Sequence, residues 1–408
     1  MGEQQASFLR WREIPRNVWV LGFVSLLMDV SSEMIHALLP LYLVVVYGAS
    51  ALAVGVIEGV AEATAQIVKI FSGALSDRLG HRKWLAAAGY GLAAVTKPIF
   101  PLASSIGWLV AARFIDRIGK GIRGAPRDAL IADSVSADLH GASFGLRQSL
   151  DTIGAFLGPV IAIALMMLTA DNFAIVFWLA AIPAFLSVAL IILAVREPKR
   201  ASGTIRSPLS LAQIGRLGTA FWVVVVLAST FTLARFSEAF LLLRAQSVGL
   251  TLALVPIMLV VMNIVYALCA WPAGALSDRI GRYGILACGF AVLIAADLVL
   301  AIAGNAVTVA LGAALWGLHM GLTQGILASL IADTAPADMR GTAFGLFNLI
   351  TGFVTLLASV IAGVLWDVAG PAVTFFAGAI FTALALCVVP VVYRMINAKN
   401  SGGARNCS

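Results

Sequence analysis

Charge is what this 408-residue sequence has least of: 27 Lys and Arg and 20 Asp and Glu make up 12% of the chain, against 61% hydrophobic residues. A soluble protein of this length needs more polar side chains than that to cover its surface. Only four cysteines are present, with no CxxC and no Cys/His spacing, so neither a disulfide framework nor a zinc module is expected. No GxxxxGK[ST] loop and no HExxH pattern occurs, which argues against ATP-driven work and zinc hydrolysis. No nucleophile and base set suggests an enzyme, and no cofactor is expected. No long polar segment leaves room for a receptor's extramembrane domain.

Apolar runs of about 20 residues, the length that spans a bilayer, fill the chain. Twelve are expected, at 17–47, 51–75, 84–103, 107–131, 143–168, 173–195, 219–243, 251–275, 284–303, 307–331, 342–365 and 371–393. The first is too long for the core of a signal peptide. Basic residues collect on alternate connections: Arg10, Arg12 and Arg16; Arg78, Arg82 and Lys83; Arg196 to Arg216; Arg279 and Arg282; Arg340; Arg394 to Arg405. The opposite loops are nearly bare, Arg244 excepted. The positive-inside rule then puts both termini in the cytoplasm, and the net charge of +7 reflects orientation rather than a nucleic-acid partner. Residues 395–408 read as a disordered tail.

Two passages recur half a chain apart. Gly73, Asp77, Arg78 and Gly80 return as Gly274, Asp278, Arg279 and Gly281, within otherwise near-identical GALSDR-x-G segments. Leu130 to Asp133, with Ala137, Asp138, Gly141 and Phe144 to Leu146, returns as Leu330 to Asp333 with the same attendants, at an offset of 200. Two matches in register make a tandem duplication: residues 1–195 and 219–408 as two six-helix bundles, joined by a basic cytoplasmic linker at 196–218. An even number of spans per repeat relates the halves by an axis along the membrane normal.

At these residues the sequence resembles the major facilitator superfamily along its whole length. The family's G-x-x-x-D-R-x-G-R-R/K loop signature is met by Gly73, Asp77, Arg78, Gly80, Arg82 and Lys83, with His81 in place of an arginine. The resemblance implies that this loop and its copy at Gly274, Asp278, Arg279 and Gly281 latch helices during a conformational cycle. Gly154, Gly158 and Pro159 are similar to the family's antiporter motif, without its trailing glycine pair. A span-4 signature is met only in Gly119 and Gly121; Arg113 and Arg117 stand off its spacing. The likeness is to the drug/metal:proton antiporter-like twelve-helix branch. It implies an all-α integral membrane protein with two pseudo-symmetric bundles, in a bacterial inner membrane, acting as a monomer with spans 1, 4, 7 and 10 around the substrate.

Ionisable residues at bilayer depth are costly and normally face a partner or a wet cavity. Asp29, Glu33 and His36 share one face of span 1; Glu58, Glu62, Gln66 and Lys69 share one face of span 2. Span 4 carries Arg113, Asp116, Arg117 and Lys120, span 7 Arg235 and Glu238, and span 10 His319. Lys97 and Asp297 occupy equivalent repeat positions, and Asp151 follows Arg147 by four residues. Mutual ion pairing within the bundle is one reading of this set; a water-filled path is the other. Low dielectric favours a protonated carboxyl and a nearby arginine the ionised one, so Asp29, Glu33 and Glu62 are candidates for coupled proton exchange. A cationic solute competing with the proton for one carboxylate gives antiport. Asp29, Glu33 and His36 are also a candidate transition-metal set, with His319 opposite. Proton-driven export of a cation such as a drug or metal, and proton-coupled uptake of an organic solute or metal chelate, both remain open. The partners expected are a small solute or ion, protons and lipid.

Overall fold

The computed structural model of the protein describes residues 13–79, 81–136, 139–197, 217–280, 282–336 and 339–405, and it is all helix apart from turns and loops. Most of the linker expected at 196–218 lies outside the described residues, as do Gly80, Gly281, Ala137, Asp138, Ala337 and Asp338.

Every expected span coincides with a helix or a broken pair of helices. The first is α1 (Arg16–His36) followed by α2 (Leu39–Val45). Then come α3 (Ala51–Leu79), α4 (Arg82–Thr96) with the short α5 (Ile99–Leu102), α6 (Ile106–Asp133), α7 (His140–Leu168) and α8 (Phe173–Ala194). The second half begins with α9 (Thr219–Ala234) and α10 (Ala239–Ser247). It continues with α11 (Ile257–Ile280), α12 (Arg282–Ile302), α13 (Ala306–Thr334), α14 (Arg340–Ala369) and α15 (Pro371–Arg405). The helix of α15 runs through Arg405, past Asn400, Ser401, Gly402 and Gly403, so the disordered tail expected from 395 is not what the structure has.

Among the described residues eleven of these segments are long and apolar enough to cross a membrane. The twelfth expected span, α6, has 28 residues and so ample length, but carries Arg113, Asp116, Arg117, Lys120, Arg123, Arg127 and Asp128. The crossing that fails on apolarity is thus the one richest in chemistry.

Local signals explain the ends. Asn305 caps α13 reciprocally with Thr308, and Asn172 caps α8 by accepting from the N–H of Ile175. The first span of each half stops at a glycine with left-handed backbone, Gly48 (φ 65°) and Gly249 (φ 88°), a conformation that only glycine adopts without strain.

The chain forms two compact units: Met1–Gly48, Thr64–Pro208 and Leu252–Ile257 in one, Ala49–Ala63, Leu209–Thr251 and Met258–Ser408 in the other. The long α3 therefore begins in the second unit and ends in the first. Within the first unit α1 packs on α7 and α8, and α4 on α6 and α8; within the second α9 packs on α14 and α15, and α12 on α13 and α15. The two pairing patterns are the same, as a duplicated chain requires. The first unit's core gathers Val18, Leu21, Val24 and Met28 of α1 against Tyr90, Leu130, Leu146 and Ile191.

Small residues set these approaches. A Cβ on Gly119 would stand 2.7 Å from the carbonyl oxygen of Gly89, and one on Gly121 2.8 Å from that of Ala65. The two glycines that match the span-4 signature therefore let α6 close on α4 at one side and α3 at the other.

Candidate functional site

Two polar clusters occupy the first unit. The deeper one centres on Asp116 of α6. Lys97, at the end of α4, donates to Asp116 Oδ1 at 2.8 Å and to Ser32 Oγ at 3.2 Å. Arg117 Nε and Arg113 Nη1 stand 3.6 and 4.0 Å from Asp116 Oδ2. One carboxylate thus faces three cationic groups, and all four side chains are at most 3% exposed. Such a group is stable only as a set, because removing one charge leaves another buried.

The second cluster joins α1, α4, α6 and α7. Arg123 Nη2 lies 3.6 Å from Asp29 Oδ1, and its guanidinium stacks 4.9 Å from the ring centre of Tyr90. The Tyr90 hydroxyl and Ser25 Oγ are 3.1 Å apart, and Ser25 accepts from Arg127 at 2.6 Å. Arg127 pairs with Asp128 at 3.1 Å and Asp151 at 3.8 Å; Arg147 pairs with Asp151 at 2.8 Å and Asp128 at 3.7 Å. Nearer the end of α1, Glu33 Oε2 and His36 Nδ1 are 3.2 Å apart.

Exposure separates the two clusters. The Asp29 and Glu33 side chains keep 25% and 23% of their surface, whereas that of Asp116 keeps 3%. The antiporter-like motif packs on the backbone and Cβ atoms of α1 at those two acids. A Cβ on Gly154 would stand 3.0 Å from Asp29 Cβ, and one on Gly158 2.5 Å from Glu33 Cβ. Glycines four residues apart on α7 fit acids four residues apart on α1.

The other sequence-predicted residues fall as follows. Glu58 is buried and Glu62 half-buried on the part of α3 that belongs to the second unit. Arg235 and Glu238 flank the break between α9 and α10, where residues 235–237 leave the helix. Span 1 breaks at the corresponding place, at Ala37 and Leu38, one residue beyond His36. Interrupted first helices recur where transporters bind substrates and ions. His319 is fully buried in α13, its Nδ1 2.7 Å from the Trp316 carbonyl oxygen and its ring against Phe231 and Trp316.

One expectation needs amendment. Among the described residues no three His, Cys, Asp or Glu side chains form a metal-holding group, so Asp29, Glu33 and His36 do not assemble the transition-metal set their spacing allowed. Glu33 and His36 do meet, but Asp29 faces Arg123. Of the signature loops, the side chains of Asp77, Arg78, Gly274, Asp278 and Arg279 lie outside the described residues. Gly73 has room for a Cβ at 3.4 Å from Ala125. Arg82 is placed: it donates to the carbonyl of Ala129 at 3.1 Å and to Asp133 at 2.6 Å.

Sequence reading did not select Arg123, Arg127, Asp128 and Arg147 as site residues. Their signal was the density of charge from Arg113 to Asp128, but only the packing of α1 and α7 on α6 shows which of those charges face Asp29 and Asp151.

The Major Facilitator Superfamily model matches residues 21–353 and 222–406. An uncharacterized MFS-type transporter of Methanocaldococcus jannaschii is 33% identical over 381 residues, 91% of this chain and 94% of the relative. An inner membrane transport protein of Escherichia coli, YajR, is 27% identical over 397 residues, covering 91% and 82%. Among solved structures, a bacterial homolog of the human lysosomal transporter Spinster, inward-facing and occupied, superposes with a TM-score of 0.77 at 14% identity, covering 92% of this chain and 96% of that one. The nucleoside transporter NupG superposes at 0.75, also at 14% identity, covering 93% and 99%. Interrupted first helices, a duplicated packing pattern and these matches lead to one assignment: the chain belongs to the major facilitator superfamily and is a multi-pass membrane transporter, not an enzyme.

Proposed function

We propose that the protein is a proton-coupled antiporter that exports a small cationic solute, with Asp29 as the coupling carboxylate and Glu33 and His36 beside it. One observation carries this reading: the part-open carboxylate of Asp29 is held 3.6 Å from Arg123, beneath the glycine motif of α7. A carboxylate whose counter-ion stands at 3.6 Å and which keeps a quarter of its surface can take a proton or a cation in exchange. Asp116 has no such freedom, because Lys97 already neutralises it at 2.8 Å. The bland reading, structural ion pairing, fits Asp116; it fits Asp29 less well.

The glycine motif supports antiport by its resemblance and by its place against both acids. The lack of a three-ligand metal group among the described residues favours an organic cation over a transition metal. Alternating access between two six-helix bundles, 1–195 and 219–408, about the linker is the expected cycle, in the bacterial inner membrane and with both termini cytoplasmic.

Purified protein in liposomes with an imposed pH gradient tests this. Organic cations are expected to move against the proton gradient, with Asp29→Asn abolishing the gradient-driven flux while leaving a folded protein. Solute movement along with the proton would instead establish uptake by symport. Unchanged pH-dependent flux in both Asp29→Asn and Glu33→Gln would remove these acids from coupling.

A further inference from the structure

The second unit carries an acid that nothing described so far uses. Asp297 lies in α12, fully buried, and neither of its carboxylate oxygens has a hydrogen-bond partner among the described residues. A comparison with the first unit sharpens this. Helices α4 and α12 start at Arg82 and Arg282, and α6 and α13 start at Ile106 and Ala306, so the register between the halves is 200 residues. Lys97 then corresponds to Asp297, and Asp116 to Trp316. In the first unit that pair of positions holds a cation and its anion, 2.8 Å apart. In the second it holds an anion and an indole. The acid sits where the duplicated half places the base, and its opposite number is gone.

An ionised carboxylate without a partner, sealed from water, is too costly to persist. Something must supply its counter-charge. The surrounding groups do not. His319, on the adjacent α13, is turned to the carbonyl of Trp316. Arg244 of α10 directs its donors to the carbonyl oxygens of Leu300, Ala301 and Ala303, about one turn beyond Asp297. Arg235 and Glu238 flank Phe236 at the helix break. Helix α15 presents no acid or base between Pro371 and Pro390, only Cys387.

Space decides what the counter-charge is. A Cβ on Gly378 of α15 would stand 2.7 Å from Asp297 Oδ2, and Phe236 Cε1 would be 3.2 Å from that same Cβ. Backbone thus packs directly over the carboxylate with an aromatic ring beside it. A metal ion needs several further oxygen or nitrogen ligands at roughly 2.0–2.6 Å, and no metal-holding group of three such side chains exists among the described residues. Only a proton fits.

We propose that Asp297 is a proton-binding site of the second unit, its carboxyl occupied by a proton in the conformation described. The site rests on contacts within that unit alone, so it stands or falls separately from the role given to Asp29.

Infrared spectroscopy of the purified protein, grown with carboxyl-13C aspartate and reconstituted in lipid, reads this directly. The expected result is an isotope-shifted C=O stretch of a protonated carboxyl, retained in Asp29→Asn and absent from Asp297→Asn. Where Asp297→Asn does not fold, Asp297→Glu serves, since it keeps an acid but removes the labelled group. A wild-type protein with no labelled protonated-carboxyl band overturns the proposal. So does a band that survives unchanged in a folded Asp297 variant.

Discussion

Arg82, two residues past the first recurring passage, donates to the carboxylate of Asp133 in the second at 2.6 Å. Arg82 opens α4 and Asp133 closes α6, and the same guanidinium reaches the Ala129 carbonyl. The backbone N–H groups of Arg82 and Lys83 are in turn accepted by Glu197, each at 2.9 Å. A short loop is thereby tied at three points to the ends of two other helices. Arg82→Ala is expected to lower stability by about 0.5–1.5 kcal/mol, since Asp133 is exposed and only the bond to the Ala129 carbonyl is part-buried. Asp133→Asn should cost less, since an amide still accepts. Thermal unfolding of the detergent-solubilised variants checks the order.

Gly158 is a point of close backbone approach between α7 and α1. Its hypothetical Cβ would meet Glu33 Cβ at 2.5 Å, the Val30 carbonyl oxygen at 3.0 Å and the Met34 nitrogen at 3.1 Å. Two of the three are backbone atoms and cannot swing aside. Gly158→Ala is expected to destabilise by about 1–3 kcal/mol through overpacking and to reduce transport by displacing Glu33. Gly145→Ala, on the same helix with nothing within 4 Å, should be neutral. Equal melting temperatures for the two variants would contradict the packing described.

Lys97 and Asp116 are 1% and 3% exposed and directly paired. Asp116→Asn strands the buried ammonium and should cost about 3–5 kcal/mol. Lys97→Met should also be costly, though less so, because Arg113 and Arg117 remain near the acid. The double variant is expected to recover much of the loss. A double-mutant cycle on thermal unfolding measures the coupling; additive single losses would mean that the pair does not act as a unit.

Asp367, near the end of α14, accepts the backbone N–H groups of Ala51 at 3.0 Å and Leu52 at 2.9 Å. These are orphan donors at the start of α3, satisfied by a residue more than 300 positions away. Packing beside them is close: a Cβ on Gly363 would stand 2.5 Å from the Leu52 Cα. Asp367→Ala should remove both bonds and the favourable charge at the helix start, at about 1–2 kcal/mol. Asp367→Asn should retain part. Amide hydrogen exchange at the first turn of α3 is the sensitive measurement, with faster exchange expected in Asp367→Ala.

Much of the fold is legible in the sequence because lipid imposes a single rule. A chain in hydrocarbon must satisfy its backbone within each helix, so apolar length alone marks the spans, and duplication of the Gly73 and Leu130 passages marks the halves. Apolar length does not show where a helix breaks. The interruptions at Ala37 and Leu38 and at Arg235 to Ser237 fall inside runs that read as continuous, and α6 is so charged that composition alone would discard it.

The sequence by itself determined that Asp29, Glu33, Asp116 and their neighbours are ionisable groups within long apolar spans, since residue type and span position follow directly from the order of amino acids. It did not determine which charge meets which. That depends on the rotation and approach of helices distant in sequence, set by glycines such as Gly119 and Gly158 and by side-chain volume. Packing alone seals Asp116 among three bases, leaves Asp29 part open beside Arg123, and strands Asp297 where the other half holds a lysine.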